Sequence, residues 1–279
     1  MAKNKGICAI CGKGTKLTFE HVPPRAAGNV DDATVYGIEE WLSRDLQTGE
    51  MPGGYVQPQG TGNISICKPC NEYSGAWFVP EFAKFTHAGI AIFRQLQQQS
   101  LIDEADKSLE WKVVDFGIMK MRALSVTKQI VASLLAINDP GFAERNPALR
   151  EFVLDRERRG LPDRYRLYAC LFAGPLARFV GLSGELNVET RKTIYQTELA
   201  HPPFAYLLTV DSEPSQPISD ITEWTTRGDA EERDERVEMI VGFGHTGLPG
   251  DYRTKAKVDA ETAANLAALK QQQNGGNAD

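Results

Sequence analysis

The chain has 279 residues and a mass of 30.8 kDa, of which 42% are hydrophobic and 24% charged. That leaves room for one large domain or two modest ones, and it excludes a fully disordered or a collagen-like chain. Lys and Arg number 31 against 37 Asp and Glu, a formal charge of −6, which weighs against nonspecific coating of DNA. Residues 1–30 run the other way: Lys3, Lys5, Lys13, Lys16 and Arg25 stand against Glu20 alone, about +4 by formal count. A local basic site on an acidic body therefore stays open.

In chain order, Thr15 to His21 reads as a short strand, and Pro23-Pro24 then forces an extended exit. Val35 to Leu42 reads as a short helix, and the Gly/Pro-rich run 52–62 as a turn-rich connector. Asn63-Ile-Ser-Ile-Cys67 alternates like a strand, and Cys70 opens a helix that runs past Trp77. Glu81 to Gln99 is helical, with Phe82, Phe85, Ile92, Phe93 and Leu96 on one face. Trp111–Phe116 reads as a strand, Ile118–Ile137 as a long helix stopped by Asp139-Pro-Gly, and Pro147–Arg159 as another helix. Strands follow at Tyr165–Phe172, Arg178–Gly181, Thr193–Tyr195, Phe204–Thr209 and Val237–Phe243. Ser212–Asp220 is a turn region, Asp229–Glu238 a solvated loop or strand edge, and Ala260–Gln273 an Ala-rich helical tail with a frayed end.

This order predicts an α+β protein. A small cysteine-bearing domain occupies residues 1–80, and a larger α+β domain, helices first and antiparallel sheet after, occupies 81–258. A tail follows at 259–279. The longest apolar runs fall far short of the ~18 residues that span a bilayer, and no apolar signal stretch follows Met1-Ala-Lys-Asn-Lys5. The expectation is a soluble, cytoplasmic protein with no membrane partner.

There are five cysteines. Cys8-Ala-Ile-Cys11 and Cys67-Lys-Pro-Cys70 are two C-x-x-C pairs, each able to grip one side of a tetrahedral zinc. A reducing compartment favours metal over disulfides. The competing reading, two redox motifs, requires a βαβ setting that neither pair has. Cys170, within Tyr168-Ala-Cys-Leu-Phe172, reads as a buried small hydrophobe.

Between and beside the pairs lie Glu20-His21-Val-Pro-Pro24 and Asn63-Ile-Ser-Ile-Cys67-Lys-Pro-Cys70-Asn71. Phosphodiester hydrolysis needs a deprotonated water and a divalent cation on the phosphate. A near-neutral His suits the first task and a neighbouring carboxylate the second. The order C-x-x-C, Glu-His-Val-Pro-Pro, Asn-x-x-x-C-x-x-C-Asn resembles the HNH endonuclease family, in its zinc-knuckle branch with a ββα-metal, treble-clef-like core. The resemblance covers about residues 8–77.

The resemblance implies DNA cleavage, leaving RNA open. It implies His21 as general base, with Asn63 orienting it or its strand. Structural Zn2+ would sit on Cys8, Cys11, Cys67 and Cys70, and a catalytic Mg2+, Mn2+ or similar ion on Glu20 and Asn71. Arg25 and Lys68 would contact phosphate. A cutter of both strands would commonly pair two sites, so a homodimer is expected.

The chain departs from the family pattern in three ways. The gap from His21 to Cys67 is long, so residues 28–58 resemble an insertion. Gly75 stands where many relatives carry Lys. The ligand set holds one carboxylate and one amide. These departures favour an alternative, a catalytically weak or inactive zinc-binding module for nucleic acid or protein. A zinc-dependent structural or regulatory protein without nucleic acid is a third reading.

Taken singly, Glu20-His21 would be an exposed pair and Asn63 and Asn71 turn or cap residues. His87 reads as structural, His201 as a turn residue and His245 as a loop residue. Trp77, Phe78, Phe82 and Phe85 read as a seam between the two parts. Gly242-Phe-Gly-His-Thr-Gly247 has G-x-G-x-x-G spacing but leads to no helix, and it reads as a turn. Residues 81–258 carry no motif that converts to chemistry.

Overall fold

A computed structural model describes residues 4–37, 39–40, 43, 53–99, 113–172, 177–187, 191–214, 218–228 and 232–242. Among them the protein is a mixed α+β structure with five α-helices and a multi-stranded sheet. The N-terminal part is a three-stranded sheet, β1 (Lys5–Ile7), β2 (Gly14–His21) and β5 (Gly62–Cys67), in the order β1-β2-β5. Between β2 and β5 lies a two-stranded ribbon, β3 (Ala33–Val35) with β4 (Tyr55–Gln57). Val35 thus ends a strand where a helix was expected; Tyr36 and Gly37 carry no regular structure, Glu39 and Glu40 are helical, and Ile38, Trp41 and Leu42 lie outside the described residues.

Helix α1 (Lys68–Trp77) follows β5 directly, with Pro69 in its first turn, where the missing N–H costs nothing. Phe78 departs from helical geometry at φ −112°, and α2 (Val79–Gln98) then starts, two residues before the expected Glu81. Phe78, Phe82 and Phe85 are fully buried, and Phe85 stacks on Phe204 at 4.6 Å. Trp77 instead stays 45% exposed beneath the Arg156 guanidinium. His87 is exposed on α2.

The expected long helix Ile118–Ile137 divides. Its first residues belong to β6 (Val113–Met121), and α3 (Ala123–Ile137) begins only after Arg122. Gly117 sits at φ +73°, its N–H bonded to the Asp115 carboxylate at 2.8 Å, and this turns the chain within the strand. Ile118 pairs with Arg236 and Met121 with Arg233 across the ladder. Exposure alternates there: Ile118 is 73% exposed and Met121 buried. That is a period of two, which a run of apolar residues conceals.

Helix α3 is buried on every side from Ala123 to Ala136. A helix buried all round belongs inside a protein, and α3 packs against α2, β5 and the strands Arg178–Asn187, Lys192–His201 and Phe204–Val210. After it come α4 (Pro140–Arg145), N-capped by the Asp139 carboxylate, and α5 (Pro147–Leu154). The expected helix to Arg159 stops five residues early. Its end is held by the buried Lys128 ammonium, which donates to the carbonyls of Phe152, Asp155 (2.8 Å) and Arg158 (2.9 Å).

The large sheet has the order β6-β12-β7-β10-β9-β8, with β7 (Tyr165–Phe172), β8 (Arg178–Asn187), β9 (Lys192–His201), β10 (Phe204–Val210) and β12 (Arg233–Gly242). The short β11 (Ser219–Asp220) also pairs with β7, inside the expected turn region. The sheet is antiparallel except where β12 runs parallel to β7, through Val241–Leu171 and Gly242–Phe172. The charged run Asp229–Glu238, expected to be a solvated loop or strand edge, is strand from Arg233 and pairs with β6; β7 meets β12 only beyond it, at Val241 and Gly242. On one face Arg236 pairs with Asp115 at 2.8 Å and Glu238 at 2.9 Å; on the other Glu235 pairs with Arg227 at 3.5 Å, and Val237, Met239 and Val241 are buried.

Buried residues from Cys8 to Val241 form one continuous cluster, and Cys170, Phe172, Ala200 and Ala205 a small second one. Trp111, the Ala260–Gln273 tail and His245 lie outside the described residues. Among the described residues, no helix is long and apolar enough to cross a membrane.

Candidate metal centre and adjoining polar site

The turn after β1 holds the first cysteine pair. Cys8 N–H donates to the Lys13 carbonyl at 3.0 Å, and Gly12 N–H to the Cys8 carbonyl at 2.8 Å. Gly12 takes φ +71°, which a glycine adopts without cost. The second pair straddles the β5–α1 junction: Cys67 ends the strand, and Cys70 lies in the first helical turn. The pairing of Leu17 with Cys67 brings the two knuckles together.

The four Sγ atoms all lie within 4.8 Å of one another, and Cys11 Sγ is 3.8 Å from Cys67 Sγ. A tetrahedral zinc with Zn–S bonds of about 2.3 Å requires sulfurs about 3.8 Å apart, so the donor set fits a four-thiolate metal site. All four cysteines are free of disulfides. The Cys8 thiol is drawn down to about 4, first by a hydrogen bond from the Cys70 thiol. The amides of Cys67 (3.3 Å) and Cys11 (3.5 Å), both directed at its sulfur, also lower it. Cys70 is pushed up by the same partnership and by burial. A metal ion ends that competition by deprotonating its thiol ligands.

The metal centre is tied to the rest of the chain. Arg150 of α5 donates from Nε to the Ile10 carbonyl (2.9 Å) and from Nη2 to the Cys11 carbonyl (2.5 Å). Inside, Ser74 of α1 donates to the Gln129 side chain of α3 at 2.6 Å.

Across the β2–β5 ladder, Glu20 stands opposite Asn63 and His21 opposite Gly62. Successive strand residues face opposite sides. Phe19 and His21 share one side, their rings 4.9 Å apart and edge-to-face, and Glu20 points to the other. Glu20 is buried, and burial pushes its carboxyl up to about 7. His21 is half-buried. Burial holds its imidazole below the usual value, the Arg25 charge acts in the same direction, and the hydrogen bond to Gln59 opposes both.

His21 Nε2 lies 3.2 Å from the Gln59 carbonyl oxygen. A carbonyl only accepts, so that bond puts the neutral ring's proton on Nε2 and leaves Nδ1 basic. Asn63, expected to orient His21, is exposed, and among the described residues its side chain forms no hydrogen bond with His21. Asn71 uses its amide nitrogen on Thr18 Oγ1 and the Phe19 carbonyl, both at 3.4 Å, and so binds α1 to β2. Arg25 is exposed, opens a 3-10 turn (Arg25–Ala27) and reaches Gln59 Oε1 at 3.4 Å. Lys68 is exposed at the start of α1 and pairs with Glu72 at 3.5 Å.

Sequence reading missed Gln59, together with Asn29 and Asp32, which hold its turn. Gln59 lay in the Gly/Pro-rich run 52–62, taken for a connector, and Asn29 and Asp32 in the run 28–58, taken for an insertion. Elsewhere, Cys170 is buried and its thiol pushed up to about 12 by burial, as a core residue's would be. His201 ends β9, its Nδ1 3.0 Å from the Pro202 carbonyl. No family model matches the chain, and neither does any curated protein or solved structure.

Proposed function

We propose that this protein is a metal-dependent, HNH-type endonuclease, with its N-terminal part cutting DNA and its larger part directing or regulating the cut. One arrangement carries the reading. Glu20 and His21 lie on a strand paired with Asn63 and Gly62, and that strand is braced by Asn71 from the following helix, with a four-cysteine cluster at the other end of the ladder.

Cys8, Cys11, Cys67 and Cys70 would hold zinc, which fixes the hairpin to the helix without a large local core. Glu20 and Asn71 would hold the second divalent ion, which on binding supplies positive charge to the phosphate and the leaving oxygen. The residues suit it. Glu20 is a buried carboxyl that gains from a nearby cation. Asn71 spends its amide nitrogen on β2 and keeps its oxygen for a ligand. His21, with Nε2–H bonded to Gln59, takes the proton of the attacking water at Nδ1. Arg25 neutralises the phosphate, with Lys68 a weaker second contact.

The second reading, a zinc-binding module of little or no activity, is favoured by the pairing of Lys68 with Glu72 and by Gly75 in place of a cation. The two readings are separated by supercoiled-plasmid nicking with Mg2+, Mn2+ or chelator, alongside His21→Ala. A nuclease nicks only with the divalent ion, and His21→Ala loses at least about 100-fold while zinc content stays unchanged. A folded, zinc-loaded chain that cuts nothing in any metal would leave the binding module. Cleavage surviving in His21→Ala would remove His21 as the base.

A further inference from the structure

Residues 28–58 resemble an insertion, yet their ends are built into the hairpin beside His21. Asn29 is buried and spends its whole amide there. Nδ2 donates to the carbonyls of Pro23 (2.7 Å) and Thr61 (2.8 Å), and Oδ1 accepts from Thr61 N–H (2.8 Å). Gly60 N–H donates to the Asp31 carbonyl at 3.0 Å. The Asp32 carboxylate accepts from Gln59 N–H at 2.8 Å. Further along, the Gln57 side chain bonds both the N–H and the carbonyl of Gly62 at 3.0 Å. The turn 57–62 is thus pinned at nearly every residue.

Within that turn Gln59 holds φ +60°, a left-handed conformation uncommon for a residue with a side chain. Such a conformation persists where its surroundings over-determine it. Gly60 follows at φ +106°. A Cβ there would lie 2.3 Å from the Asn29 carbonyl oxygen, so Asn29 and the turn are packed backbone to backbone. The consequence of holding Gln59 this way is the direction of its carbonyl, which meets His21 Nε2.

We propose that Asn29 and Asp32 are positioning residues for His21, acting through the turn that presents the Gln59 carbonyl. Asn29 anchors the turn against the strand exits, and Asp32 fixes the Gln59 peptide. Together they keep the imidazole in one tautomer, with Nδ1 bare. Asn29 and Asp32, at the start of the inserted segment, are therefore part of the site. The proposal rests on the reading of His21 as general base, but its first readout does not.

Asp32 is the residue to change, because it is exposed and its loss opens no core. In the full-length, zinc-loaded protein at about pH 8, where a histidine is neutral, ring 15N shifts of His21 report the tautomer, with His21→Ala giving the assignment. The wild type is expected to show one tautomer, protonated at Nε2. Asp32→Ala is expected to give averaged shifts, and plasmid-nicking kcat about tenfold lower with KM little changed, as small misplacements of a reacting group cost rate. Asp32→Asn keeps an oxygen acceptor for Gln59 N–H and is expected to restore both.

An unchanged tautomer in Asp32→Ala would overturn the proposal, and so would an Asp32→Asn variant as impaired as Asp32→Ala. If the wild type cuts nothing, the nuclease reading falls by itself, and the 15N pattern still decides whether the turn positions His21.

Discussion

Arg150 offers the sharpest test of how the metal centre is joined to the body of the protein. Its guanidinium forks onto two adjacent knuckle carbonyls, Ile10 at 2.9 Å and Cys11 at 2.5 Å. It lies so close over Gly12 that a Cβ there would come within 2.7 Å of Nη2. Hydrogen bonds from a charged donor contribute about 1.5–3 kcal/mol each. The side chain is only partly buried, and solvent screening brings the pair to about 2–3 kcal/mol. Arg150→Ala should lower the unfolding free energy of the zinc-loaded chain by that amount in urea. It should also speed zinc loss to a chromophoric chelator, because the Cys8–Cys11 turn loses its external brace. Arg150→Lys should recover less than half, since one ammonium cannot copy the two-pronged geometry. A change below about 0.5 kcal/mol in Arg150→Ala, with zinc release unaltered, would show that the knuckle holds its shape without α5.

Two further changes probe buried ionisable groups. Burial raises the Glu20 carboxyl from 4.5 to about 7, so across that window the folded chain keeps a proton that the unfolded chain has released. With zinc bound and Mg2+ withheld, stability should therefore fall as pH rises from about 4.5 to about 7, by about 3 kcal/mol. Glu20→Gln should flatten the curve, and an equal slope in that variant would assign the pH dependence to another group. Lys128 supplies three carbonyls at the end of α5. Lys128→Met should cost about 3 kcal/mol or more despite the similar volume, and a loss below about 1 kcal/mol in denaturant would mean those carbonyls find other donors.

The four-cysteine cluster was legible because its signal is local. Two C-x-x-C pairs need only one strand pairing to meet, and Leu17–Cys67 provides it. Strands such as Tyr165–Phe172 were legible from apolar runs ending at turn residues. What was hidden depended on partners distant in the chain. Asp229–Glu238 looked like a solvated loop or strand edge because charges follow one another on both faces, and only the ladder with β6 reveals that Arg233–Glu238 is strand. Ile118–Met121 looked helical because a strand whose outer face carries an exposed Ile loses its alternation. At the candidate site, the side chains Glu20, His21 and Asn71 could be named from their motif, but the partner of His21 is a main-chain carbonyl. A carbonyl has no residue type, so no motif marks Gln59. Only the Asn29, Asp32 and Gly60 that shape its turn leave a trace, in residues that turns of every kind use.

The ligand set that resembles a weak version of a nuclease site has a consequence of its own on the proposed reading. One carboxylate and one neutral amide leave a divalent ion with net positive charge, where two carboxylates would cancel it. The ion is then held less tightly, but it keeps more charge for a phosphodiester, and Arg25 adds to it from the exposed side. The same carboxylate is buried and raised to about 7, so without an ion it keeps its proton at mildly acidic pH. A divalent ion held there would offset the desolvation cost that burial imposes, and Glu20 would give up its proton to bind it. On this reading folding, pH and metal occupancy would be linked at Glu20, and a substrate phosphate that needs the ion would meet a site that becomes positive only when the ion arrives.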